Sequence, residues 1–124
     1  MQISRMDALE DFGTLTLSSG TEFTNVLEKD SADIKRMRVV AEVTTAAEGG
    51  TSVTLTLFGS DDNSTFVELE STPAIALASL TKGATFSIGV PDNASYKYYK
   101  VVATKSGTFT AGVMAAQLDT YMGV

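Results

Sequence analysis

The chain has 124 residues, with 15 acids against 9 bases, a net charge of −6, and neither Cys nor His. That length suits one domain with a real core, and the two missing residue types remove disulfides, Ser-His and Cys-His nucleophile pairs, Cys/His zinc sites and imidazole proton transfer. The acidic balance disfavours nucleic acid, which needs a basic footprint, and no run approaches the roughly 18 apolar residues of a membrane span.

Charge is uneven along the chain. Residues 1–33 hold seven acids and two bases, a net of −5, whereas residues 34–124 come to −1. The opening residues lack the apolar core of a signal peptide, so synthesis and retention in the cytoplasm are expected. Met6, Leu9 and Phe12 are spaced like a short helical turn, although a flexible arm is an equal reading of residues 1–12. The remainder, 13–124, reads as one β domain.

Eight strands are predicted: Thr14–Leu17, Glu22–Leu27, Met37–Thr44, Ser52–Phe58, Phe66–Glu70, Ala84–Val90, Tyr96–Thr104 and Gly112–Asp119. Turn chemistry separates them at Ser18-Ser19-Gly20, Glu48-Gly49-Gly50, Asp61–Thr65, Pro91-Asp92-Asn93 and Ser106-Gly107. The alternation assigns faces. Val39, Ala41 and Val43 share one side, as do Val53, Leu55 and Leu57, and then Phe86, Ile88 and Val90. One-sided burial of this kind belongs to antiparallel sheets. The expected fold is an all-β sandwich, with eight strands favouring a jelly roll over a seven-stranded immunoglobulin-like arrangement. Core residues expected from the 52–69 hairpin are Val53, Leu55, Leu57, Leu69 and one of Phe66 and Val67.

Basic residues first gather at Lys35-Arg36-Met37-Arg38, read as an exposed strand start or a salt-bridge partner for the acidic N-terminal segment. Between the two halves lies Thr72–Gly83. Its Ile75, Leu77 and Leu80 would be costly to leave in water, at about 1.5–3 kcal/mol each. They therefore cap the core, the favoured outcome, or meet a partner.

Candidate chemistry is sparse. Asp61-Asp62 and Glu68/Glu70 are the carboxylate pairs available for acid–base work. The first sits where a hairpin tip wants polar groups, and the second alternates with Val67 and Leu69 as solvent-facing positions do. The Asp61-Asp62-Asn63 cluster could offer oxygen ligands to calcium but lacks the loop spacing for it, so an unliganded turn is the simpler reading. Gly49-Gly50 has no following Lys and is not a phosphate loop. Tyr96-Lys97-Tyr98-Tyr99-Lys100 could stack a sugar or base, pack at the rim of the sandwich, or line a protein interface. No catalytic, metal or cofactor site is expected, and the chain reads as a non-enzyme.

Several segments, in order, resemble a known family. They are Thr24-Asn25-Val26-Leu27, then Met37–Thr44 leading through a Gly-rich turn into Ser52–Phe58. Next comes the tip Ser60-Asp61-Asp62-Asn63-Ser64-Thr65-Phe66, then Tyr98–Val102, and last Ser106-Gly107-Thr108-Phe109-Thr110-Ala111-Gly112. Over residues 22–119 the chain is similar to the jelly-roll capsid cement (decoration, or stabilisation) proteins of tailed bacteriophages, as in a short-tailed Bordetella phage. It departs from them in the charged 27–30 and 35–38 regions and in its acidic N-terminal arm. The resemblance implies a homo-oligomer, dimer or trimer, that binds the major capsid protein on the outside of the shell between capsomers. It implies no catalytic residues and a location on the virion surface. Candidate partner contacts are Met6, Leu9 and Phe12 of the arm and Ile75, Leu77 and Leu80 of the long loop. The competing expectation is a carbohydrate- or receptor-binding β-sandwich module of a phage tail or fibre.

Overall fold

The alternating runs at 37–44 and 52–58 belong to one strand. A computed structural model describes residues 11–28, 37–90 and 96–120. In chain order the strands are β1 (Asp11–Thr16), β2 (Leu27–Glu28), β3 (Met37–Ser60), β4 (Val67–Ser71), β5 (Ile75–Ala76), β6 (Thr85–Gly89) and β7 (Tyr98–Thr120), with one 3-10 turn at Leu77–Ser79. All pairings are antiparallel.

The two long strands, β3 and β7, pair along almost their whole length, from Met37 opposite Thr120 to Ser60 opposite Tyr98. Their ladder breaks register repeatedly between Val43 and Ser52, and shifts of this kind bend a strand. The ribbon folds over at that corner. One layer then reads β1, the 113–120 half of β7, the 37–43 half of β3, and β6. The other reads β2, the 98–106 half of β7, the 52–60 half of β3, and β4. Two four-stranded layers joined by bent long strands are the order of an eight-stranded jelly roll. The all-β sandwich expected from the alternation is therefore present, with four predicted strands fused into two.

The glycines explain why the corner reads as turns in the sequence. Gly49, Gly107 and Gly112 hold φ of 94°, 86° and 132°, which glycine alone adopts cheaply. Gly50 is buried for another reason. A Cβ there would fall on the ring of Phe109, itself only 4% exposed. The ring lies across the bend and seals it.

Alternation places Val39, Ala41, Val43, Val53, Leu55 and Leu57 in one shared core with Tyr99, Val101, Ala103, Met114, Ala116 and Leu118. Ile88 and Val90 join them, and Phe86 packs against the cluster half-buried. Each fully buried side chain of this size contributes about 1.5–3 kcal/mol. Leu69 packs on the core's margin. Neither Phe66 nor Val67 enters the core: the first is half-buried and the second exposed.

Two further expectations change. Asp11 and Phe12 are the first residues of β1, so the sheet begins before residue 13 and Phe12 is not helical. Of the expected Glu22–Leu27 strand only Leu27 lies in a regular strand, Leu27–Glu28. The residues before it bond in two directions: the Phe23 N–H donates to Val101 O (3.2 Å), whereas the Asn25 N–H donates to Phe12 O (2.9 Å). A segment tying β7 to β1 cannot keep one flat ladder.

Candidate binding surfaces

The acidic hairpin tip organises itself. Ser60 Oγ donates to Asp62 Oδ1 at 2.8 Å, and the N–H groups of Ser64 and Thr65 donate to the same oxygen at 2.9 Å. Asn63 takes φ of 58°, a left-handed conformation asparagine tolerates. Asp62 therefore acts as an Asx-type brace for the loop. These bonds, led by that from Thr65, hold its carboxyl below the ordinary value of 3.8. A lowered carboxylate pKa contributes to the loop above about pH 3.8 and loses that contribution as pH falls through the folded value. Asp62→Ala should speed amide exchange at Ser64 and Thr65 while leaving the global Tm nearly unchanged. A large Tm loss would show that the tip braces more than itself. Among the described residues no group of three or more acidic side chains is placed to hold a metal ion.

The tyrosines divide. Tyr99 is fully buried, and its Oη accepts the Tyr96 N–H at 3.0 Å. Burial, the largest cause, pushes its phenol above the ordinary 10.0. Tyr96 lies half-buried over Gly59, where a Cβ would come within 2.7 Å of the ring. Tyr98 faces outward, half-exposed, opposite Ser60. Next to it on the same face, Lys100 lies opposite Phe58 and Val102 opposite Thr56.

This outward face of the second layer combines half-buried Phe58, Phe66 and Val102 with two lysines. Lys100 Nζ sits 4.3 Å from the Phe66 ring centre and 3.3 Å from Glu22 Oε2. Lys97 Nζ lies 3.5 Å from Glu28 Oε2 and 5.7 Å from the Tyr98 ring centre. Such surface ion pairs contribute about 0–1 kcal/mol each. The outward face of the first layer carries half-buried Arg38 and Val40; Lys35 and Arg36 lie outside the described residues. Two shallow grooves cross it, of about 150 and 130 Å³, the larger lined by Asp11, Glu42, Thr85 and Gln117 among others. Pockets that enclose a drug-sized ligand measure about 300–1,000 Å³, so these grooves are contact relief and not a substrate cleft.

Four of the candidate partner contacts lie among the described residues. Phe12, Ile75 and Leu80 are buried in the chain's own core, and Leu77 packs half-buried against it. The Ala47 N–H donates to Leu80 O at 3.0 Å, tying the long loop to the corner of β3. These four side chains cap the core, as the costlier alternative of water contact would suggest. Met6 and Leu9 lie outside the described residues. The sequence marks Phe109 only within the family-like 106–112 segment and not as a core residue; the signal for its burial is a lone large aromatic between two threonines, in a chain whose other corner strand carries Gly49-Gly50.

No curated protein matches the chain in sequence. Among solved structures it is similar to one described as "carbohydrate-binding modules from the beta-sandwich super family" (TM-score 0.45, 12% identity), covering 86% of this chain and 44% of that one. The chain thus spans less than half of that structure's length. It is also similar to the SPBc2 prophage-derived protein YomS (TM-score 0.39, 13% identity), covering 86% of this chain and 91% of that one. The sequence pattern of Bbp16 matches residues 17–118, from the end of β1 through almost all of β7, and the chain belongs to this phage-associated Bbp16 family.

Proposed function

We propose that the chain is a phage capsid cement protein. It docks on the outside of an assembled shell between capsomers, as a homo-oligomer, and contacts more than one copy of the major capsid protein. The observation that carries this reading is the family match. It covers the Asp61–Phe66 tip and the Thr108–Gly112 corner, the segments that most resemble cement proteins. A jelly roll whose first layer carries shallow grooves on its outward face, among the described residues, suits a role in which contact area is the function. Binding stabilises the shell by mass action, and repetition over many equivalent sites adds avidity. Catalysis, membrane insertion and nucleic-acid binding play no part in this role.

Purified protein added to expanded shells that lack it should co-sediment with them and raise their rupture temperature in calorimetry. If the shells neither bind it nor gain heat resistance, the role is wrong. Removing residues 1–10 leaves β1 whole and tests Met6 and Leu9 as contacts; weaker shell binding is expected, and undiminished binding would exclude the arm. Removing residues 1–12 is the poorer test, because it also takes Phe12 from the core.

A carbohydrate- or receptor-binding module of a tail or fibre is the competing reading. It rests on Tyr98 and Phe66, half-exposed beside lysines. The inward packing of Tyr96 and Tyr99 leaves it one tyrosine of three. A glycan array probed with the same preparation separates the two readings.

A further inference from the structure

Among the described residues the jelly roll is closed along one side and open along the other. On the closed side, the 21–25 segment bonds to both β7 and β1. On the open side, β4 and β6 pair only with β3 among the described residues. Each therefore presents backbone N–H and C=O groups along its outer edge, the arrangement that accepts an added strand. Every residue of β4 but Leu69 is exposed, and Val67 is 46% exposed.

Charge tells the two edges apart and names the occupant. From Val39 to Thr81 the chain has no Lys or Arg. Asp61, Asp62, Glu68 and Glu70 stand on the tip and on β4, whereas β6 carries no charged side chain. Two copies of β4 laid edge to edge would oppose glutamates to glutamates, and like charges across a strand pair are destabilising. The edge thus repels its own kind and favours the opposite sign.

We propose that the outer edge of β4 receives an extended, lysine- or arginine-bearing segment of a partner protein as an added β-strand. Its five residues span roughly 17 Å, room for about five residues of the partner. Main-chain hydrogen bonds hold the strand, Glu68 and Glu70 select its charge, and Val67 gives it an apolar contact. This holds for a basic strand of any origin and does not rest on the cement role.

The test uses the full chain, isotope-labelled, titrated with a short capped peptide of alternating Lys and Val. Amide shifts and slowed hydrogen exchange should centre on Val67–Ser71. Glu68→Lys/Glu70→Lys should bind about tenfold more weakly. Both positions are exposed, so that variant should keep its Tm, as surface substitutions usually do. A peptide of the same charge, N-methylated on alternate residues, should lose binding because it cannot complete the ladder. The proposal is overturned by an absence of binding, by shifts centred on β6 or an outward face, by equal affinity in the double variant, or by undiminished binding of the methylated peptide.

Discussion

Phe109→Ala should lower unfolding stability by about 3–5 kcal/mol, the range for removing a buried aromatic ring. Domains of this size have only about 5–15 kcal/mol in total, so the change would be visible at once in a denaturant midpoint. The cause lies in the position. Phe109 is buried over the bend of both long strands, against Gly50, and its loss opens a void where the two layers join. Gly50→Ala approaches the same contact from the other side. Its Cβ would fall on the ring, and overpacking of this kind costs about 1–3 kcal/mol. The two effects should not add. In the Phe109→Ala background the alanine at position 50 grows into vacated space, so its cost should shrink or vanish, a coupling of about 0.5–3 kcal/mol. Strictly additive losses would refute the wedge.

Tyr99→Ala should cost a comparable amount, about 3–5 kcal/mol, and Tyr99→Phe isolates a smaller part of it. Tyr99 pairs with Gly59 on one side and Leu27 on the other, so its ring fills the core between β2 and β3. The phenylalanine variant keeps that ring but loses the part-buried bond from the Tyr96 N–H, for about 0.5–1.5 kcal/mol. It should also change the alkaline limb of the stability curve. The phenol's folded pKa is raised above 10.0 by burial, so the neutral form belongs to the folded state. Its contribution is complete below pH 10.0 and is lost as pH rises through the folded value. Wild-type unfolding midpoints should therefore fall more steeply than those of Tyr99→Phe above that pH. Parallel curves would show that another group governs the alkaline limb.

The faces of the sheet were legible because period-two alternation reports burial directly. Val39, Ala41 and Val43, and likewise Val53, Leu55 and Leu57, turn inward as the pattern requires. The continuity of β3 and β7 was not legible. Gly49-Gly50 and Ser106-Gly107 have the local chemistry of turns, and a turn differs from a bend only in which distant strand pairs on either side. That information is non-local. The same limit applies to Glu22–Leu27, whose strand-like composition is overridden by bonding in two directions. Ile75 and Leu80 were legible as apolar residues that need cover, but a lone sequence does not distinguish cover by self from cover by a partner. The carboxylates of the tip were visible at once. The engagement of Asp62 by Ser60, Ser64 and Thr65 depends on the left-handed turn at Asn63, a backbone fact.

The shared long strands also govern how the chain reaches this fold. Pairing of β3 with β7 joins Ser60 to Tyr98, 38 residues on, and at its far end Met37 to Thr120, 83 residues on. Loop-closure entropy is smaller at the first end, so zipping is cheapest from the hairpin-tip end of the molecule towards the corner and beyond it. Either way the search is dominated by contacts distant in sequence, which places refolding on a scale of roughly milliseconds to seconds. Because the backbone of each long strand runs through both layers, neither layer can be completed without committing the other. The layers should form and melt as one cooperative unit.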